Sequence, residues 1–318
     1  MTLRIGYLLP TRESIMEGRP EAEPLLTLAE RAERLGYDSV WVGDSLLARP
    51  RHEPITLLAA VAARTQRVNL GTAVLLPALR NPVLLAHQIA TLDRISTGRL
   101  ILGVGIASDV PNIHAEFRSA GVPWEKRVGT MIEGLRLCKG FWTGKPVDWD
   151  GRWHVEKGVL GPTPHRPGGP PLWGGGSAPA ALERAVKYFD GWFPNGPDAK
   201  GWGVHWRTVQ DMAREAGRNP RDIEPALYLT LAIDENEAQA EERMNHDLSS
   251  YYGQRPDVMK KRQACFAGSA SRAAAWLNGY VEEGARCLVL RCAGDHDRHL
   301  EAIARIRQSL DRIDCNRR

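Results

Sequence analysis

Apolar residues along the chain fall into short continuous runs separated by stretches with helical spacing. The runs Leu3–Leu9, Ser39–Gly43, Val68–Leu76, Arg99–Gly105, Pro171–Gly175, Gly191–Pro194, Pro225–Ile233 and Cys287–Cys292 are predicted to be strands. Helices are predicted over Glu23–Leu35, Pro54–Arg64, Pro82–Ile95, Trp124–Trp142, Ala178–Phe189, Trp202–Ala216, Asn236–Gln263, Ala270–Glu283 and His299–Ile313. Proline opens the second and third of these, and Gly36 ends the first. Eight strands alternating with helices is the count of a (β/α)8 TIM barrel. Runs such as LILGVG and CLVLRC, apolar without alternation, suit parallel strands buried on both faces. A doubly wound open sheet would want G-x-G-x-x-G after its first strand. Gly6 stands alone there, and Gly103-Val104-Gly105 lacks a third glycine in register. The expected organisation is one barrel domain over 1–318, with excursions near 108–123, 144–170 and 235–268.

Charge adds exclusions. With 42 Lys and Arg against 38 Asp and Glu, the net charge is +4, and the basic residues are scattered apart from the tail Asn316-Arg317-Arg318. A nucleic-acid surface needs a basic stripe, so no nucleic-acid partner is expected. The five cysteines are odd in number and show no CxxC spacing; Cys287 and Cys292 fall in an apolar strand and read as core thiols. The chain enters a strand directly from Met1, and its most apolar helix, Ile55–Ala63, is far shorter than the ~20 residues a membrane span takes. The expectation is a cytoplasmic protein without a membrane partner.

Reactive groups in a barrel sit where strands end. The strongest local signal is Trp173-Gly174-Gly175-Gly176-Ser177, leading into a helix. Glycines let backbone approach an oxyanion, and a helix N-terminus offers free N–H groups, so this junction can hold a phosphate; the alternative is a plain turn with Ser177 as cap. Gly71-Thr72-Ala73-Val74 is a run of small and β-branched residues against which a flat ligand could lie. Asp44 and Ser45 could orient a polar ring edge or cap the next element, and Arg80 could meet a phosphate or a carboxylate. His114, Glu116 and Arg118 lie in a segment read as a loop that could close as a lid, and Arg291 ends the last strand, where a cation could face an anionic ligand. Asp44, Ser45 and His114 are the weak catalytic candidates, with no residue assigned. His87 reads as a helix-face or core histidine. His296 and His299 read as surface histidines, and no metal site is expected.

With those residues in hand, the chain resembles the bacterial luciferase-like family of flavin- and deazaflavin-dependent oxidoreductases. The matching segments are AERLGYDSVWVGDS ending at Ser45, RVNLGTAVLLPALRNP (67–82), ATLDRISTGRLILGVGIAS (90–108), PLWGGGSAPAALERAVKYFDGWFP (171–194) and GYVEEGARCLVLRCAG (279–294). The resemblance implies a (β/α)8 barrel with insertions and, by position, a cofactor ring backed by Thr72, Ala73 and Val74. It implies a non-prolyl cis peptide at Ala73–Val74, Gly105, Ile106 and Ala107 beside the ring, and Gly174, Gly175, Gly176 and Ser177 around the phosphate; Asp44, from its place after the second strand, is the further cofactor-contact candidate. It also implies a homodimer. Many relatives carry histidine where this chain has Ser45, and the family's deazaflavin sugar-phosphate dehydrogenases use that histidine and a glutamate near the position of Ser108. Their absence argues against a sugar-phosphate dehydrogenase and removes the obvious general base.

Reduced-FMN chemistry needs no such base, because the cofactor carries it. The first expectation is therefore a reduced-FMN-dependent monooxygenase of a small organic substrate, supplied by a separate flavin reductase, since no NAD fingerprint is visible. The alternative is a coenzyme F420-dependent reductase or dehydrogenase. A third reading is a non-catalytic flavin-binding barrel. The substrate is not legible.

Overall fold

A computed structural model describes residues 3–315; the basic tail at 316–318 lies outside the described residues. The chain runs β1 (Arg4–Leu8), α1 (Glu13–Met16), α2 (Glu23–Arg34), β2 (Ser39–Val42), α3 (Pro54–Arg64), β3 (Asn69–Leu75), α4 (Pro82–Ile95) and β4 (Leu100–Val104). It continues through α5 (Pro111–Ser119), α6 (Arg127–Phe141), β5 (Val147–Asp150), β6 (His154–Gly158), β7 (Leu172–Gly174), α7 (Pro179–Tyr188), β8 (Gly191–Trp192), α8 (Ala199–Glu215) and β9 (Glu224–Ile233). The last elements are α9 (Glu237–Tyr252), α10 (Pro256–Arg262), β10 (Cys265–Gly268), α11 (Ala270–Glu282), β11 (Cys287–Cys292) and α12 (His296–Cys315).

Helix starts follow local chemistry. Asn81 accepts from Val83 N and Leu84 N just ahead of Pro82, and Glu53 accepts from Thr56 N ahead of Pro54. Asp198 and Asn236 cap α8 and α9 in the same way. Each satisfies amides the helix leaves without internal acceptors.

The sheet order is β9-β11-β1-β2-β3-β4-β7-β8, closing by a β8–β9 pairing, with β10 added beside β9. The eight ring strands form a closed parallel (β/α)8 barrel, and they are the strands expected from the apolar runs. Register is parallel throughout the ring pairings described, for example Tyr7↔Leu290 and Thr72↔Leu102. β4 and β11 are buried at every position.

Contacts group into two compact units. Among the described residues, one comprises 3–9, 27–41 and 173–315; its core includes stacked Trp192 and Trp202, with ring centroids 5.4 Å apart. The other comprises Pro10–Leu26 and Val42–Leu172, with Leu70, Leu75, Ile89 and Leu102 buried in it.

Several expectations are corrected. The helical stretch 236–263 is two helices, broken where Gly253 turns left-handed (φ +62°) and Pro256 restarts the chain. The 265–268 segment after it is a strand. The excursion at 144–170 contains the antiparallel hairpin β5–β6, and the 108–123 loop contains α5, opened by Pro111. His299 is not a surface residue: it is 1% exposed, its Nε2 accepts from Ile233 N at 2.9 Å, and burial lowers its pKa.

Candidate cofactor site

In the second unit, β3 is buried along most of its length but opens at Ala73 and Val74, which are half-buried. The peptide bond joining them is cis. Past β4 the chain continues through Gly105, Ile106 and Ala107, all half-buried, with Ala107 in the left-handed region at φ +63°. Gly105 fits because it lacks a side chain: a Cβ there would lie 2.5 Å from Val74 Cγ2. Bare backbone and small apolar groups thus form an open wall suited to one face of a flat ring. Thr72 is fully buried, and its hydroxyl donates to the Gly103 carbonyl at 2.8 Å, tying β3 to β4 rather than facing outward.

Asp44 fixes the end of that wall. Its carboxylate, fully shielded from solvent, accepts from Leu76 N at 2.8 Å and from both terminal nitrogens of Arg80 at 2.6 and 3.0 Å. Arg80 also meets Glu53 at 3.1 Å. Burial works against the Arg80 charge, but the two carboxylates outweigh it and its pKa is raised. Of the two roles open to Arg80 in the sequence, the carboxylate pairing is the one formed.

Ser45 belongs to a second network. Its Oγ donates to Glu116 Oε1 at 2.7 Å and accepts from Arg49 N at 2.9 Å. The same Glu116 oxygen accepts from the backbone N–H groups of Leu46, Leu47 and Ala48. Glu116 is 1% exposed, so α5 anchors the loop after β2 through one buried carboxylate. His114 hydrogen-bonds Asp109 at 2.8 Å and packs on Trp124 with centroids 4.1 Å apart. Arg127, which sequence reasoning passed over, lies 3.6 Å above the Trp124 ring and donates through Nε to the Ile106 carbonyl at 3.2 Å. It holds the 105–107 wall to α6. An arginine on a helical face gave no signal of this.

In the first unit, β7 leads into the glycine turn. A Cβ on Gly174 would overlap the Phe189 ring, so this glycine serves packing. Gly175 has the Phe193 carbonyl 3.1 Å from where its Cβ would sit, and Gly176 is left-handed at φ +101°. The amides of Gly176, Ser177 and Ala178 donate to no backbone carbonyl among the described residues. Unengaged amides opening the ten-residue helix α7 fit a phosphate. Ser177 Oγ donates to the Gly196 carbonyl at 3.1 Å, and the Trp192 indole donates to the Gly176 carbonyl at 2.9 Å; both bonds fix the turn. Arg291 faces protein rather than a ligand: it is 1% exposed, pairs with Asp247 at 2.7 Å and lies over the Tyr251 ring. Burial pushes the Cys138 and Cys287 thiols up to about 12, which keeps them protonated core groups.

A family profile described as luciferase-like monooxygenase matches residues 3–312. The chain belongs to the luciferase-like monooxygenase family. Over 266 residues, 83% of this chain and 77% of the relative, it is 30% identical to the 5,10-methylenetetrahydromethanopterin reductase of Methanolobus tindarius. It is 28% identical to the F420-dependent glucose-6-phosphate dehydrogenase of Kineococcus radiotolerans over 94% of both chains. Among solved structures, an F420-dependent secondary alcohol dehydrogenase in complex with an F420-acetone adduct matches with a TM-score of 0.82. That match covers 96% of this chain and 98% of the other at 21% identity, a likeness of fold. This luciferase-like chain is an oxidoreductase. No helix among the described residues is long and apolar enough to cross a membrane.

Proposed function

We propose that the chain is a coenzyme F420-dependent reductase or dehydrogenase of a small organic molecule. The observation that carries this reading is the similarity to an F420-dependent dehydrogenase along 94% of both chains. It reverses the order reached from sequence, where reduced FMN stood first because Ser45 replaces the family histidine. The separate flavin reductase expected with FMN is not required under this reading.

Bound F420 supplies a ring carbon that accepts or donates hydride; the protein positions it and keeps water away. Within the second unit, Ala73, Val74, Gly105, Ile106 and Ala107 offer a surface for the ring; within the first, the Gly175–Ser177 turn offers backbone amides for a phosphate. Asp44 acts through Leu76 N and Arg80, keeping the end of β3 in place. Ser45 commits its single proton to Glu116. Its hydroxyl does not titrate near neutral pH as histidine would, which supports a substrate class other than sugar phosphates. The family resemblance further supports a homodimer, which light scattering of the purified protein tests.

Turnover distinguishes the cofactors. Reduced F420 mixed anaerobically with a panel of enones, imines and ketones should lose hydride to at least one member, read as the return of the oxidised chromophore. Oxygen-dependent turnover with reduced FMN, and none with F420, would overturn the proposal.

A further inference from the structure

Next to the glycine turn, within the same unit, lies a cavity of about 530 Å³. Ser177 lines it together with Lys260, Lys261, Arg262, Trp276 and Tyr280. The cavity walls are knit together: Ala264 N donates to the Asn195 carbonyl at 2.8 Å, and Tyr280 Oη donates to the Pro197 carbonyl at 3.1 Å. Gln263, 4% exposed, is held by Tyr252 Oη at 3.0 Å. Lys260 is engaged by Glu241, whereas Lys261 and Arg262 are exposed. The one acidic residue in the lining, Asp198, is occupied in capping α8 through Gly201 N. The cavity therefore presents positive charge beginning at a residue of the proposed phosphate turn. Basic residues in the last turn of α10 suit the helix dipole, but that alone does not account for a cavity they share with Ser177.

We infer that this cavity is a subsite for a chain of carboxylates continuing from the cofactor phosphate, with Lys261 and Arg262 as its recognition residues. The inference rests on the F420 reading. FMN ends at its phosphate. The deazaflavin cofactor continues through a lactyl group into a run of linked glutamates, each bearing a free carboxylate, so only it can fill the cavity from the turn. The subsite thereby distinguishes the two cofactors by what lies beyond the phosphate, not by the ring.

The test is equilibrium binding, read by quenching of protein fluorescence, with F420 bearing several glutamates, the form ending at phospholactate, and FMN. Wild-type protein should bind the glutamate-bearing form about tenfold more tightly than the phospholactate form at low ionic strength, an advantage that shrinks in ~0.5 M salt. Lys261→Glu with Arg262→Glu should abolish that advantage and leave the phospholactate form unchanged. Lys261→Gln with Arg262→Gln should give an intermediate loss, and circular dichroism should report both variants folded. Equal affinity of wild type for the two deazaflavins would overturn the subsite, as would equal weakening of both in the variants. Unchanged F420 binding alongside lost affinity for inorganic phosphate would instead assign the cavity to an anionic substrate and overturn the tail assignment. Failure of wild type to bind either deazaflavin while binding FMN would overturn the F420 reading itself.

Discussion

Removing Asp44 should cost stability out of proportion to one side chain. Its carboxylate is fully shielded and accepts three hydrogen bonds, two from a guanidinium that is 12% exposed. Asp44→Ala leaves the buried Leu76 amide without its acceptor and leaves Arg80 with Glu53, which is 40% exposed, as its remaining carboxylate. Taking one partner from a buried pair costs roughly 3–5 kcal/mol, and the surviving Glu53 contact places this case near ~3 kcal/mol. Arg80→Met removes the stranded charge, so Asp44→Ala with Arg80→Met should be less damaging than the sum of the single changes by at least ~1.5 kcal/mol. Urea denaturation of the four proteins, comparing midpoints at matched slopes, gives the coupling directly. A cost below ~1 kcal/mol for Asp44→Ala, or additivity within ~0.5 kcal/mol, would refute the view that this pair fixes the end of β3. Cofactor affinity should fall with stability in Asp44→Ala, because Leu76 lies two residues beyond Val74.

Three further outcomes are expected. Glu116→Ala frees four donors that share one oxygen and should lose roughly 2–4 kcal/mol, with Glu116→Gln losing clearly less, measured by thermal and urea unfolding. Gly105→Ala drives a methyl against Val74 and should cost roughly 1–3 kcal/mol and weaken cofactor binding, whereas unchanged binding would detach this wall from the ring. His299 has its folded-state pKa lowered by burial, so the unfolded chain takes up the proton first. Its contribution is intact above about pH 6.5 and is lost as pH falls from there through the folded value; His299→Gln should flatten that part of the melting-temperature profile.

The barrel was legible because its strands are buried on both faces. LILGV and CLVLRC are apolar at nearly every position, and a parallel strand under helices imposes that pattern. The β5–β6 hairpin was not legible: VDWD and HVEKG are mostly polar and solvent-facing, so no apolar run marked them. The helical stretch expected over 236–263, already longer than one crossover needs, gave no place for its break, which Gly253 and Pro256 set against the helical spacing around them. Within the candidate site, the small-residue run at 71–74 and the glycine turn were visible in sequence. The reason for Gly105 was not, since the Val74 methyl that excludes a Cβ comes from a neighbouring strand. Glu116 and His299 were missed as buried groups because periodicity reports apolar faces and is silent on a polar side chain whose partners are distant backbone amides.

Cofactor choice is tested most directly by titrating the purified protein, side by side, with oxidised F420 and with FMN under identical buffer and salt. F420 dependence predicts saturable F420 binding at least about tenfold tighter than FMN, a difference of ~1.4 kcal/mol. Saturable FMN binding with no measurable affinity for F420 would contradict it.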